Sequence, residues 1–255
     1  QNTLIGGLAG DALTDADENV AVGVSALGAD TLGSKSTAVG KSALAQQNFT
    51  SATETFNTAV GHFAGYSVTT GVQNTLIGGL AGDALTTALF SNTTASNNTA
   101  VGYQAMTANT TGTESVGIGN RALASQTTGR NTAVGFNAGQ DITTGTSNTM
   151  LGQEAGENTT TGDFNVAVGT QSLRANTTAD NNTAVGYQAG YSNTTGTQNT
   201  SLGTYSGYRL TTGSSNTTVG YNSGYTTTGS FNTSLGNSAL LSNTTAPNNT
   251  AVGYQ

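Results

Sequence analysis

Few of the 13 Asp and Glu side chains in this 255-residue chain stand close enough in sequence to act together. Glu154, Glu157 and Asp163 are the nearest set, and carboxylates flanking a bond are what glycoside cleavage needs, one as acid and one as base or nucleophile. Spacing alone does not bring them into one site. Asp11, Asp15, Asp17 and Glu18 lie in DALTDADE. That run gathers oxygen donors but lacks the glycine and distal glutamate of a calcium loop, so it reads as a solvated acidic turn. The one histidine, His62, has no evident partner for proton transfer and reads as a surface residue. Gly117 and Gly119 are not followed by the lysine of a phosphate-binding loop. Tyr191, Tyr208 and Tyr225 recur at one spacing. Stacked, they form an aromatic column suited either to a sugar or protein receptor or to mutual support along a seam. The expectation is a protein that is not an enzyme, with no catalytic residue, no metal and no cofactor.

Composition agrees. Only 7% of residues are charged, leaving too little acid and base for an ordinary catalytic apparatus. Six Lys and Arg against 13 Asp and Glu give a net charge of -7, which argues against a nucleic-acid partner. Cysteine is absent, so neither disulfides nor thiolate metal sites contribute. No apolar run approaches the roughly 18 residues of a membrane span, and no membrane insertion is expected.

The elements that must position any site are set by a repeated phrase: Asn, Thr, a small residue, an aliphatic, Gly. Its glycines are Gly6, Gly23, Gly40, Gly61, Gly78, Gly102, Gly119, Gly135, Gly152, Gly169, Gly186, Gly203, Gly220, Gly236 and Gly253. Seventeen residues is the ruling interval, and the long intervals hold insertions near 46–55 and 89–96. A short period held this strictly signals stacked repeats. The absence of a 3.6-residue recurrence excludes helical pairs. The fold expected over 1–255 is all-β, a single continuous parallel β-solenoid (β-roll) of about 15 coils with a 17-residue repeat. Two short strands per coil are expected, with TTG or TTA segments as turns. At about 4.8 Å per coil, fourteen intervals extend roughly 70 Å.

Thr and Val interchange at the second phrase position, and that position shares a face with the aliphatic two residues on. Both are assigned to the interior. The expected core is therefore Ile5, Val22, Val39, Val60, Ile77, Val101, Ile118, Val134, Leu151, Val168, Val185, Leu202, Val219, Leu235 and Val252. The asparagines, including Asn131, Asn148, Asn165, Asn182, Asn199, Asn216 and Asn232, are expected to form a hydrogen-bonded ladder. Their N-x-T triplets follow from the repeat and are not read as glycosylation sites. So little apolar surface per coil favours burial against further copies in a homo-oligomer.

The phrases NTAVG, NVAVG at Asn19 and Asn165, and SVGIG at Ser115 resemble the head repeats of trimeric autotransporter adhesins. The forms with YQAG and NTTG are similar to repeats of bacteriophage tail fibres and related surface fibres. The resemblance covers essentially the whole chain and implies a parallel β-roll packed as a homotrimer. It departs in period, since adhesin heads commonly repeat in about fourteen residues. It implies an extracellular structural or adhesive segment of a longer cell-surface or virion tail fibre, with a surface glycan or protein receptor as partner. Two alternatives stand beside it: an ice-binding solenoid, prompted by the threonines but opposed by their assignment to the interior, and a polysaccharide-binding or polysaccharide-cleaving tailspike-like solenoid.

Overall fold

Each copy of the phrase makes one three-residue strand. The computed structural model describes residues 1–83 and 94–254; these contain no helix and wind as a parallel β-solenoid of about 14 turns. Two compact units divide the chain, Gln1–Arg130 and Asn131–Gln255. The first carries β1 (Thr3–Ile5), β2 (Val20–Val22), β3 (Gly33–Ser34), β4 (Thr37–Val39), β5 (Thr53–Glu54), β6 (Thr58–Val60), β7 (Thr75–Ile77), β8 (Thr99–Val101) and β9 (Val116–Ile118). The second carries β10 (Thr132–Val134), β11 (Thr149–Leu151), β12 (Val166–Val168), β13 (Thr183–Val185), β14 (Thr200–Leu202), β15 (Thr217–Val219), β16 (Thr233–Leu235) and β17 (Thr250–Val252). Within each unit every phrase strand pairs in parallel with the next, phrase position against phrase position, as Met150 lies beside Ala167 between β11 and β12. The insertion expected near 46–55 supplies β5, which pairs with β3 as a separate two-stranded sheet. Residues 89–93 of the other insertion lie outside the described residues.

The second strand per coil does not form. Apart from β3 and β5, every described strand is the phrase itself. The cause is local: the second and fourth residues after the phrase glycine take left-handed backbone, as Gln188 (φ 52°) and Gly190 (φ 59°) do. Two such residues curl the return arm into consecutive turns that an extended strand cannot contain.

The inward face is the opposite of the one assigned from sequence. Along the phrase strands from β2 to β16 it is the middle residue that is enclosed; Ala21, Ala38, Ala59, Ala100, Ala133, Met150, Ala167 and Ala184 are all fully buried. The fifteen aliphatics assigned to the core stand on the outer face of the sheet. Ile5, Val60, Ile77, Ile118, Val134, Val185, Leu235 and Val252 are exposed, and Val22, Val39, Val101, Leu151, Val168, Leu202 and Val219 are half-buried. The phrase threonines accompany them outward. Period-two alternation held, but its phase was inverted, because an interior one side chain thick accepts the small middle residue and not two branched ones per coil.

Core volume is balanced partly within coils and partly between neighbours, as where Leu173 reaches over Gly190 of the next coil. Where the middle residue is large (Leu4, Leu76, Met150), the fourth residue after the phrase glycine is Gly10, Gly82 or Gly156, and a Cβ there would meet that same large side chain at 2.3–2.7 Å. Where the middle residue is alanine, the fourth position often supplies the bulk instead, as Leu27, Leu44 and Leu173 do from left-handed backbone (φ 54°, 49° and 46°). A leucine held there stores roughly 1–3 kcal/mol of strain, offset by filling the space next to alanine. The phrase glycines answer a different need. A Cβ on Gly186 (φ +134°) would sit 2.7 Å from the backbone of Gly203 in the next coil. Gly186→Ala is therefore expected to destabilise the second unit by about 3–5 kcal/mol, measurable by denaturant unfolding. Gly7→Ala, which meets nothing within 4 Å, should fall within about 0.5 kcal/mol.

Two polar ladders tie coil to coil. The backbone N–H of Asn165 donates to Asn148 Oδ1 (2.9 Å), and that of Asn182 donates to Asn165 Oδ1 (3.0 Å). The Asn165 amide donates both to Asn148 Oδ1 (3.1 Å) and to the Ala179 carbonyl (2.8 Å). In the adjoining turn, Thr160 Oγ1 donates to the Thr177 carbonyl (3.0 Å), and Thr177 Oγ1 to that of Thr194 (3.1 Å). These bonds satisfy backbone groups that a chain with one short strand per coil would otherwise leave open.

Candidate functional site

One corner of the second unit gathers six of its seven tyrosines beside the ion pairs of Arg174. The fifth residues after successive phrase glycines are Glu157, Arg174, Tyr191, Tyr208 and Tyr225, and coil stacking sets them one above another. The rings of Tyr191 and Tyr208 stack at 5.2 Å and 11°, and those of Tyr208 and Tyr225 at 5.0 Å and 7°. The column is closed at one end by Arg174, whose Nη1 donates to the Tyr191 hydroxyl (3.1 Å). The tyrosines picked out by spacing thus turn their faces to one another. Burial, with the neighbouring phenols adding to it, pushes the Tyr208 hydroxyl above its usual range.

In front of this column stands a row that spacing alone does not single out, because its members occupy different repeat positions. Tyr187 and Tyr221 directly follow phrase glycines, while Tyr205 stands second after its own. Tyr205 meets Tyr187 edge to face at 5.4 Å and Tyr221 at 6.3 Å, and it leans on Tyr208 and Tyr225 from the front. Tyr187 and Tyr221 are 43% and 50% exposed, so the row faces water while the column backs it. Beside it runs a chain of amides: Gln188 Nε2 donates to Gln171 Oε1 (2.5 Å), and Gln171 Nε2 donates to Glu154 Oε2 (2.8 Å).

The three carboxylates considered for bond cleavage do not form a set. Glu154 and Glu157 share one guanidinium, with Arg174 Nε 2.9 Å from the first and 2.7 Å from the second. The Gln171 hydrogen bond, helped by Arg174, holds the Glu154 carboxyl below its ordinary range, the opposite of what a proton donor requires. Asp163 belongs to another column, where it accepts from the Thr146 N–H (2.6 Å) and hydroxyl (3.2 Å). Asp11, Asp15, Asp17 and Glu18 are exposed, and His62 is exposed with its ring against Phe63. Among the described residues no three His, Cys, Asp or Glu side chains are placed to hold a metal ion, and no helix is long and apolar enough to cross a membrane.

No family model, no curated protein and no solved structure matches this chain. The functional reading therefore rests on the residues themselves.

One carboxyl lies apart from these columns. Asp83, in the first unit, is fully buried and accepts from Ser67 Oγ (3.1 Å); burial pushes its pKa from 3.8 to about 6. The folded state then holds this proton more tightly than the unfolded chain does. The contribution of Asp83 to stability is fully present below about pH 4 and is lost as pH rises through about 6. Thermal unfolding of the first unit is expected to shift to lower temperature between pH 4 and pH 7. Asp83→Asn should abolish the part of that shift that belongs to this residue.

Proposed function

We propose that this chain is a structural and adhesive segment of an extracellular fibre, assembled as a homotrimer through the outer face of its phrase strands. The observation that carries this reading is the outward column of Val, Ile and Leu beside an outward column of Thr and Val, with almost no charge on either. In the second unit the aliphatic column runs from Val134 through Val168 and Val219 to Val252. Monomeric proteins seldom leave a long apolar stripe in water, and its natural occupant is a surface of the same period. A second copy supplies one, coil for coil. The resemblance of the phrase to adhesin head and tail-fibre repeats supports the same assembly and a place on a cell or virion surface. The net charge of -7 disfavours nucleic acid as partner.

The test is the native mass in solution, for the chain as it stands and for Val168→Glu combined with Val185→Glu. A trimer that the paired substitution dissociates supports the assembly, and a stable monomer overturns it. A second reading gains from the outward threonines. The burial that argued against ice binding does not exist, and the Thr and aliphatic columns form a regular, nearly uncharged array. Freezing hysteresis from a monomer would favour that reading over the fibre.

A further inference from the structure

We propose that the row Tyr187, Tyr205 and Tyr221 is a binding site for a neutral, extended, β-linked oligosaccharide lying along the solenoid axis. This deepens the fibre reading by naming what such a fibre would grip, and it rests on that reading for the corner remaining open to water in the assembly.

Three observations converge. The row combines apolar ring surface with phenolic hydroxyls, and a pyranose has the matching pair: a face of C–H groups and a rim of equatorial hydroxyls. Its rings are pre-set, because Tyr205 is wedged between Tyr187 and Tyr221 and braced from behind by Tyr208 and Tyr225. Little side-chain freedom is then left to lose on binding. Gln188, in the coil preceding Tyr205, donates to Gln171 but has no partner for its Oε1 among the described residues, so that oxygen remains to accept from a sugar hydroxyl.

The repeat selects an extended chain. Tyr187, Tyr205 and Tyr221 come from three successive coils, with a rise of about 4.8 Å per coil, so an extended saccharide meets a ring on each while a coiled one leaves the row after a single contact. Charge selects a neutral one. Arg174, at the end of the column behind the row, is already held between Glu154 and Glu157, Arg209 beside Tyr208 is a single exposed charge, and the chain as a whole repels polyanions.

Six of the protein's nine tyrosines lie in this cluster and tryptophan is absent, so intrinsic emission reports chiefly on it. Titration of the intact chain with cellohexaose and with chitohexaose is expected to change tyrosine emission saturably for at least one of them, while maltohexaose, which coils, binds at least tenfold more weakly. Tyr187→Ala and Tyr221→Ala should each weaken binding tenfold or more. Phe231→Ala, an exposed ring elsewhere in the unit, should leave it unchanged. Near-ultraviolet circular dichroism of the Tyr191, Tyr208 and Tyr225 stack verifies that the variants are folded. No binding of either β-linked probe, or binding that both tyrosine variants retain, overturns the proposal. Native mass is read on the same samples: lost binding at unchanged mass concerns the tyrosine row alone, and changed mass at retained binding concerns the assembly face alone.

Discussion

Ala167→Asp is expected to unfold the second unit, whereas Val168→Asp, one residue on, should leave the coil formed and change what it associates with. Ala167 is fully buried between Met150 and Ala184 in the adjoining strands, and Leu173 of the same coil is buried as well. A carboxylate there has neither room nor partner. The chain must protonate it, displace the coil or unfold, with a loss above about 4 kcal/mol. Val168 is half-buried on the outer face, where an aspartate reaches water. Its direct effect on the chain should stay near 1 kcal/mol, with the larger change appearing in native mass. Circular dichroism and urea unfolding of both variants measure the contrast. If Val168→Asp proves the more damaging to the fold of the single chain, the inward face has been assigned to the wrong residues.

That contrast marks the boundary of what the residues disclosed. The solenoid, its parallel pairing and its 17-residue repeat follow from the phrase, since a strict short period has few other physical realisations. The phase of the strand does not follow from the phrase alone. Val, Ile and Thr favour strands for conformational reasons whether they face a core or a neighbouring chain, so a column of them does not say which side is dry. A partial signal lay in the pairing of two positions: Leu4 with Gly10, Leu76 with Gly82 and Met150 with Gly156, against Ala21 with Leu27 and Ala167 with Leu173, although Ala59 with Gly65, Ala133 with Gly139 and Ala184 with Gly190 are small at both. Side chains whose sizes offset one another share a confined volume, and the outward aliphatics show no such exchange with the fourth position. The front row of tyrosines was hidden for a related reason. Tyr187, Tyr205 and Tyr221 hold two different repeat positions, and only the alternating left-handed turns bring those positions together.

The asparagine column makes the second large prediction, because the chain has already carried out the substitution twice. Where serine replaces the phrase asparagine, at Ser36 and Ser115, the seventh residue after the phrase glycine of the same coil is Gln47 or Gln126. Gln47 Nε2 lies 2.9 Å from Ser36 Oγ, and Gln126 Nε2 lies 3.0 Å from Ser115 Oγ. The longer amide reaches across the core to the shorter hydroxyl. In the coil of Asn165 the corresponding seventh residue is Asn176. Asn165→Ser should therefore leave the Ala179 carbonyl with only the longer bond from Asn176 Nδ2 (3.2 Å) and weaken the link from the Asn182 N–H, at a cost of about 1–3 kcal/mol. Asn176→Gln alone overfills a tight interior and should cost about 1–3 kcal/mol. The double variant is expected to recover 1–3 kcal/mol relative to the sum of the two. Urea unfolding of the four proteins in this cycle provides the measurement. Strict additivity would mean that serine and glutamine occur together for some reason other than the bond between them, and the column would then be a row of independent caps rather than one connected network.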